Sequence, residues 1–444
     1  MKLSIDAVRI SLLVFGNALV YAFHIVGWHT FPIFLLLYIG VFFACQPSRV
    51  LSPLTMLYIY YGAWFVFAPT MASLYAGQLG MPEYRLSFAF AFSVYSVAAL
   101  AIHFGERAGL ATSPIHLALP DVSESTVVRL AAPLYAMSTA AIFAIILGSG
   151  GFETWLRNPG DAFLNRAGTG VYVIISHFSS LALAMLTGFL AYRWRRYGLL
   201  ALFFAWVAVT SPVHGSKMQI MLLLILSLTP WLVTSRFWSW KLFALLGAGV
   251  AVFIVGMYFR HQSILSSWGM VMSTANYFTA LHNLAVSIRD FDPGLLTTFF
   301  MPLNKIWMTM GWMDPSSYFD MNHMLTDIYR PDAWAIRATE QWPVETDLYL
   351  NFYFVGGLPL IAVFFFLHGW LFGFARRVNS VGAWFAAVML TVSMLSHLRG
   401  SLYNHVDFYM YPYILFVMTV MGGWKMGKSE HIAPVHSAHR TLIT

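Results

Sequence analysis

The feature that most constrains this chain is a series of long apolar runs separated by short charged stretches. Of its 444 residues, 59% are hydrophobic and only 10% are charged, whereas about 25% of the residues in soluble domains are charged. An apolar run of about 20 residues is long enough to cross a bilayer as a helix. We therefore predict an all-α, polytopic membrane protein with about twelve transmembrane helices. They are expected near residues 10–27, 31–46, 51–73, 87–104, 128–148, 171–192, 199–212, 218–234, 241–258, 349–374, 381–396 and 405–424.

The basic residues test this count, because the cytoplasmic loops of membrane proteins are enriched in lysine and arginine. If the N-terminus is cytoplasmic, the even-numbered connections and the C-terminus should carry the positive clusters. They do so at Arg49, Arg107, Arg193, Arg195, Arg196, Arg236, Lys241, Arg376, Arg377, Lys425 and Lys428. The net charge of +7 is thereby explained by topology, and we expect no nucleic-acid partner.

The longest polar stretch, residues 259–348, falls on the predicted outer side and is net acidic. It is rich in aromatic residues, in which disordered segments are poor, so we expect it to fold into short helices. The chain is thus divided into three regions. Residues 1–258 hold helices 1–9, residues 259–348 form the large outer loop, and residues 349–444 hold helices 10–12 and a cytoplasmic tail.

Two arginines after the fifth predicted helix, Arg157 and Arg166, break the positive-inside trend. One interpretation is structural, with the arginines bridging to Glu153 and Asp161. The other is functional, because a guanidinium group binds phosphate or carboxylate through two parallel hydrogen bonds.

A second candidate is the stretch His214-Gly215-Ser216-Lys217 at the predicted outer mouth between two helices. A lysine at the start of a helix lies at the unfavourable end of the helix dipole. We expect an anion to compensate Lys217, either a bound phosphate or a nearby carboxylate.

The third candidate is a dispersed group of ionisable residues on the predicted outer side. Most of these residues lie at the outer rim of the predicted bundle. Ionisable groups are energetically costly at membrane depth, and those found there mark functional sites. They are Arg260, His261, Arg289, Arg330, Arg337, Glu340, Glu345, Asp347, His397, Arg399, His405 and Asp407. For each single histidine, a hydrogen-bonded interfacial side chain is the competing interpretation.

Motifs for other chemistries are missing from the sequence. It contains no GxxxxGK[ST] phosphate loop and no HExxH zinc motif. Its single cysteine, Cys45, excludes a multi-cysteine metal site. We therefore predict no cofactor and no metal.

Two short stretches resemble elements of the Wzy-type polysaccharide polymerases, the oligosaccharide repeat unit polymerases of bacteria. The stretch His214-Gly215-Ser216-Lys217 is similar to the family's Gly-Ser-Arg element, with lysine in place of arginine. The stretch from Glu345 through Asn351 to Gly357 is similar to its acidic, Asn-Phe-Gly and Gly element, with Tyr353 replacing a glycine. The predicted topology, with one large outer loop late in the chain, also resembles this family.

The resemblance implies a GT-C-type architecture and a glycosyltransferase of the bacterial inner membrane, with both termini cytoplasmic and a periplasmic active site. Such an enzyme polymerises repeat units carried on undecaprenyl diphosphate without a metal, in the biosynthesis of O-antigen or a similar polysaccharide. A chain-length regulator and a flippase are the partners that the resemblance implies, beside membrane lipid. An O-antigen ligase, a flippase and another transporter remain alternatives.

The expected site residues follow from this chemistry, which needs cations for the diphosphate and a base for the acceptor hydroxyl. The candidate diphosphate and glycan contacts are Arg157, Arg166, Lys217, Arg260, Arg289, Arg330, Arg337 and Arg399. The candidate catalytic groups are Glu345, Glu340, His323, His397, His405 and Asp407. Glu345 is preferred among them because it lies in the matching stretch.

Overall fold

The computed structural model describes residues 5–112, 123–157, 162, 166, 168–214, 217–261, 267–314, 317–332, 340, 342–402 and 412–421. Within these residues the chain is helical and contains no strand. The first half forms α1 (Ile5–Val26), α2 (Thr30–Ala44), α3 (Pro53–Tyr61), α4 (Pro82–Ala111), α5 (Glu124–Gly148), α6 (Gly151–Arg157), α7 (Gly170–Trp194), α8 (Tyr197–His214) and α9 (Lys217–Thr234). The second half forms α10 (Trp240–His261), α11 (Ser267–Ala275), α12 (Ala280–Asp290), α13 (Met301–Thr309), α14 (Met321–Tyr329), α15 (Val344–Phe352), α16 (Leu358–Val378), α17 (Val381–Leu398) and α18 (Pro412–Met421).

Six of the described helices are long and apolar enough to cross a membrane, and five more are apolar but shorter. Large apolar side chains also cover the outside of the bundle. Phe15 and Ile25 of α1, for example, are 74% and 80% exposed. Soluble proteins rarely expose so large an apolar surface to water, so these features support a membrane-embedded protein. The number of twelve spans stays a prediction.

Helix α3 is the start of a longer helical rod that carries much of the site described below. Its first turn is capped by Ser52, whose hydroxyl accepts a hydrogen bond from the backbone N–H of Thr55 at 3.2 Å. The rod continues beyond Tyr61 as a π-helix, Gly62–Phe67, and ends with the α-helical turn Ala68–Met71. Short π-helical segments are often found at functional sites.

Helices α4 and α16 pack backbone to backbone through two pairs of glycines spaced four residues apart. The pairs are Gly105 and Gly109 on α4, and Gly369 and Gly373 on α16. A Cβ atom at any of the four would collide with a backbone carbonyl oxygen of the opposite helix. Small residues at this spacing allow membrane helices to approach closely, where van der Waals contact replaces the hydrophobic effect as the driving force.

A second group of helices packs around α7, which contacts α5, α8 and α9. Gly188 of α7 lies against the backbone carbonyl of Ser227 on α9, again leaving no room for a side chain. The indole N–H of Trp206 on α8 donates to the Thr139 hydroxyl of α5 at 3.1 Å.

The connections between helices meet at two ends of the bundle. At the first end, which we call the basic end, Arg49 and Arg236 form an isolated backbone bridge and Arg376 pairs with Glu106. At the other end, which we call the loop end, α11 contacts the last turn of the α3 rod and α12 contacts its π-helical part. The predicted cytoplasmic arginines at 49, 236 and 376 thus lie together, and which end faces the cytoplasm stays a prediction.

One predicted helix, 349–374, is divided in the structure. Helix α15 ends at Phe352, and the next helical turn begins at Val355. Tyr353 and Phe354 between them have positive φ angles of 48° and 63°. Their conformation breaks the helix, and therefore α15 is a separate element whose direction is independent of α16. Apolar composition alone gave no sign of this break.

Candidate functional site

Helix α15 has polar side chains at positions that are completely buried. Glu345, Thr346, Asp347 and Asn351 all have 0% of their surface exposed. An ionisable side chain is rarely buried unless it is paired, because the loss of hydration costs several kcal/mol. Because burying these polar side chains is unfavourable, we take α15 as the centre of the candidate site.

Glu345 is held on one side only. Its Oε1 atom accepts a hydrogen bond of 2.6 Å from the hydroxyl of Tyr61, on the α3 rod. Its Oε2 atom is buried and has no hydrogen-bond partner among the described residues. Burial raises the pKa of Glu345 to about 7, and the Tyr61 hydrogen bond opposes that rise because it stabilises the ionised form.

The position of Tyr61 shows how deep this carboxylate lies. Tyr61 is near the middle of the rod that runs from residue 53 to residue 71. Glu345 therefore lies inside the bundle, and not at its outer rim, where the sequence suggested that the charges gather. Helix α15 reaches this depth because the chain turns at Tyr353 and Phe354.

Asp347 and Asn351 have a structural role next to Glu345. The Asn351 amide donates to Asp347 Oδ1 at 2.7 Å and to the Thr298 hydroxyl at 2.8 Å, and its oxygen accepts from the Thr298 N–H at 2.7 Å. Leu296 N–H also donates to the Asn351 carbonyl at 2.9 Å. These bonds tie α15 to residues 294–298 and so fix the position of Glu345.

A cation and an aromatic surface lie beside the same rod. The guanidinium of Arg399 lies over the Trp64 ring, 5.8 Å from its centroid, and Tyr60 stacks on Trp64 at 4.8 Å. The Tyr60 hydroxyl donates to the carbonyl of Leu398 at 2.7 Å. The structure thus brings together two of the predicted residues, Glu345 and Arg399, which contact neighbouring turns of one helix through Tyr61 and Trp64.

Glu340 lies next to this aromatic surface, with Arg330 as its partner. An oxygen of Glu340 is 3.6 Å from a guanidinium nitrogen of Arg330, and the other is 3.5 Å from the hydroxyl of Thr279. Thr279 follows Phe278, whose ring meets Trp64 at 4.5 Å. Both members of the pair are partly exposed, so screening by solvent weakens their attraction.

The two described histidines among the candidates are engaged in local structure. The Nδ1 atom of His323 lies 2.6 Å from a carboxylate oxygen of Asp320, the residue that caps α14. His397 contacts the Ser401 carbonyl through Nδ1 at 2.9 Å and the Tyr413 hydroxyl through Nε2 at 2.6 Å. With both ring nitrogens bonded, His397 is occupied in joining the end of α17 to α18.

The contacts shown for three other candidate arginines are with residues other than Glu345. Arg157 pairs with Glu153 at 3.0 Å on an exposed surface, which is the structural alternative considered for it. Arg289 forms two hydrogen bonds, of 2.7 and 2.8 Å, with the adjacent Asp290. Arg166 is partly buried, and its carbonyl accepts from the Thr169 hydroxyl at 2.7 Å.

Two further candidates can be assigned to a helix only, and three are not among the described residues. Lys217 begins α9, and Arg260 lies in the last turn of α10. Arg337, His405 and Asp407 lie outside the described residues.

The tyrosines of the rod belong to the site although no sequence motif marks them. Tyr60 and Tyr61 are completely buried, and each places its hydroxyl on a partner from the last hundred residues of the chain. A signal was present, because three tyrosines within four residues (58, 60 and 61) are unusual in a helix predicted to be apolar. Buried tyrosine hydroxyls need partners, and their partners show where polar groups enter the bundle.

Comparisons of the chain with protein-family models, curated proteins and solved structures gave no match. The site is therefore interpreted from its own geometry. Within the described parts of the chain, no group of three or more histidine, cysteine, aspartate or glutamate side chains is placed to hold a metal ion.

Proposed function

We propose that this protein is a glycosyltransferase that polymerises oligosaccharide repeat units carried on undecaprenyl diphosphate. The observation that carries the proposal is the buried carboxylate of Glu345, bonded to Tyr61 through one oxygen and available through the other. A general base works best when its pKa lies near the operating pH, and burial brings the pKa of Glu345 to about 7.

In this reaction Glu345 is the base that activates the acceptor sugar. Its Oε2 atom takes the proton of the acceptor hydroxyl, whose oxygen forms a bond to the anomeric carbon of the donor. The bond between that carbon and the diphosphate oxygen breaks, and the lipid diphosphate leaves with the electron pair. Tyr61 keeps the carboxylate oriented and stabilises its ionised form.

Arg399 is the group best placed to meet the charge that develops on the leaving diphosphate. A guanidinium group can bind two phosphate oxygens at once. The guanidinium of Arg399 stacks on Trp64, and this contact restricts its orientation before the substrate binds. The Arg330–Glu340 pair lies on the side of Phe278 and Thr279, where it can contact the glycan.

A mainly apolar cavity of about 630 Å³ offers a place for part of the polyprenyl chain. It is lined by Pro69, Met71, Tyr75, Leu79 and Met272, among others. The Tyr75 hydroxyl donates to the Phe278 carbonyl at 3.1 Å, so the cavity adjoins the aromatic surface at the loop end. Because Glu345 is completely buried, we propose that the short helices of the loop end separate to admit the sugars.

The setting of this function follows the same proposal. The protein resides in the bacterial inner membrane with twelve spans in a GT-C-type arrangement, its termini in the cytoplasm and its loop end in the periplasm. A chain-length regulator and a flippase are its proposed partners. An O-antigen ligase would use the same donor contacts and remains an alternative.

One observation favours a second candidate, a proton-coupled transporter. A carboxylate near the middle of a bundle, with a pKa close to 7, also suits a group that gains and loses a proton during transport. A transporter would move its cargo without forming a glycosidic bond.

Gene deletion in the host, followed by complementation with Glu345→Gln, separates these functions. The readouts are the surface polysaccharide on a gel and the lipid-linked intermediates by mass spectrometry. For a polymerase, we expect the variant to reach the membrane and to leave a single repeat unit on the lipid core in place of the ladder. Glu124→Gln, which removes a partly exposed carboxylate paired with Arg196, is the control and should restore the ladder.

The other outcomes assign the other functions. Long chains stranded on undecaprenyl diphosphate would indicate a ligase, and single units trapped on the cytoplasmic face would indicate a flippase. If the deletion strain itself keeps an unchanged ladder and unchanged intermediates, a role in glycan assembly is rejected. A transporter of another cargo would then be the remaining candidate.

A further inference from the structure

Three arginines from distant parts of the chain line one cavity at the basic end. Arg49 comes from the turn between α2 and α3, Arg236 from the turn between α9 and α10, and Arg376 from the last turn of α16. The cavity has a volume of about 520 Å³, and Phe237 and Trp238 complete much of its wall.

The two turns are fixed to each other by backbone hydrogen bonds. Arg49 and Arg236 form an antiparallel bridge, and the Val50 N–H donates to the Ser235 carbonyl at 3.2 Å. The Arg49 guanidinium also donates to the Thr234 carbonyl at 2.5 Å. The positions of two of the three arginines are therefore set by the fold before any ligand binds.

The charges of the cavity do not balance. Among the described residues, the only carboxylate paired with these arginines is Glu106, which bonds to Arg376 and accepts from the Ser48 hydroxyl at 2.7 Å. Arg236 has no ion pair or hydrogen bond from its side chain within the described part of the chain, and it is exposed. Three like charges near one carboxylate repel each other, and an anion between them would remove that repulsion.

The chemistry of the cavity selects a phosphate group, because guanidinium groups bind phosphate oxygens through paired hydrogen bonds. Its place at the end of membrane helices selects a lipid as the carrier of that phosphate. Trp238 at the cavity and Trp240 at the start of α10 are 62% and 74% exposed. Exposed tryptophans are typical of the level of the lipid headgroups, and basic pockets between helices bind anionic headgroups.

We propose that this cavity binds the phosphodiester headgroup of an anionic phospholipid, with Arg49, Arg236 and Arg376 as the phosphate contacts. The bound lipid would join the two turns to α16 and thereby hold together helices that are far apart in the sequence. This site is separate from Glu345 and does not depend on the function proposed for the loop end.

The test compares the full-length protein with Arg236→Gln and Arg129→Gln in detergent. The probes are cardiolipin, phosphatidylcholine and inorganic phosphate, and the readouts are native mass spectrometry and the thermal denaturation temperature. Arg236→Gln removes the arginine without described side-chain partners, so the fold should be retained. Arg129→Gln is the matched control, since Arg129 is an exposed arginine of α5 that lies outside the cavity.

We expect cardiolipin to bind and stabilise the wild-type protein and the Arg129→Gln variant, and phosphatidylcholine to have little effect. Arg236→Gln should weaken cardiolipin binding about tenfold, the effect of losing a charge-assisted hydrogen bond. Equal cardiolipin binding by all three proteins would overturn the proposal. If inorganic phosphate stabilises the wild type as well as cardiolipin does and displaces it, a soluble phosphate is the ligand and the assignment to lipid is wrong.

Discussion

At the scale of single residues, the proposed function depends most on Glu345. Its carboxylate is completely buried, with a tyrosine hydroxyl on one oxygen and no described partner on the other. Burial raises its pKa, and hydrogen bonds from the Tyr61 hydroxyl and from its own backbone N–H lower it. The Tyr61 hydrogen bond can be removed by one substitution.

Replacing Tyr61 with phenylalanine should raise the pKa of Glu345 further, because the ionised carboxylate loses a hydrogen bond. A bond of this type is worth about 1.5–3 kcal/mol, which corresponds to about one to two pH units. The measurement is the pH dependence of polymer formation by purified protein in lipid nanodiscs. The activity of the variant should rise at a pH about one to two units higher than that of the wild type.

Tyr95→Phe is the matched control for this prediction. Tyr95 is equally buried and packs on Tyr61 with ring centroids 5.0 Å apart, but its hydroxyl donates to the Tyr38 carbonyl. Its pH profile should coincide with that of the wild type. Identical profiles for Tyr61→Phe and the wild type would show that Glu345 is not the group that titrates.

Glu345 should also make the stability of the protein depend on pH. The folded protein keeps the proton up to a pKa of about 7, whereas the unfolded chain loses it near 4.5. The contribution of Glu345 to stability is therefore greatest below pH 4.5 and is lost as the pH rises to about 7, a change of roughly 3 kcal/mol. The glutamine of Glu345→Gln does not titrate, so this variant lacks the loss. Between pH 5 and pH 8, its denaturation temperature should therefore fall less than that of the wild type. If the denaturation temperatures of the two proteins differ by the same amount at every pH from 5 to 8, Glu345 does not titrate with this pKa.

Arg399 should not tolerate replacement by lysine, although the charge is conserved. Lysine has no planar group to stack on Trp64 and no pair of parallel donors for phosphate. We expect Arg399→Lys to lower the rate of polymer formation on the order of tenfold, measured at saturating substrate. Arg289→Lys, which changes an exposed arginine paired with Asp290, should retain the wild-type rate and serves as control.

At the scale of helices, the contact of α4 with α16 depends on the absence of side chains at four positions. Overpacking of a tight contact costs about 1–3 kcal/mol. Gly369→Ala should therefore lower stability by about 2 kcal/mol, because its Cβ would collide with the backbone of Ile102. The measurement is thermal or denaturant unfolding in detergent, together with the yield of protein in the membrane.

Gly247→Ala, on α10, is the control for Gly369→Ala. A Cβ atom at Gly247 meets no other atom within 4 Å, and alanine also has the higher helix propensity. This variant should be as stable as the wild type or slightly more stable. Equal stability of the two variants would show that α4 and α16 are not in close backbone contact.

At the scale of the whole molecule, the basic end and the loop end should face opposite sides of the membrane. The single cysteine, Cys45, is buried, so replacing it with serine gives a background for labelling. In that background, Arg236→Cys should react with an impermeant thiol reagent only after the membrane is opened. Met310→Cys, in the predicted outer loop, should react while the membrane is intact, since Met310 is 51% exposed. The reverse pattern would invert the proposed orientation.

The sequence alone determined which segments are helices in an apolar setting, because about 20 consecutive apolar residues have few alternatives. The predicted boundaries of the first nine helices lie within several residues of α1, α2, the rod from 53 to 71, α4, α5 and α7–α10, whereas the short helix α6 was not predicted. Charge distribution also predicted that Arg49, Arg236 and Arg376 share one end of the molecule. These properties are local, or depend on the order of segments, and can be read without contacts.

Only the tertiary structure decided which polar residues meet. Tyr61 and Glu345 are 284 residues apart, and no periodicity relates them. The depth of Glu345 depends on a turn made by two residues with positive φ angles, and the contact of α4 with α16 depends on glycines that meet across helices. A single buried hydrogen bond gains its importance from the low dielectric around it, and that environment exists only once distant segments have packed.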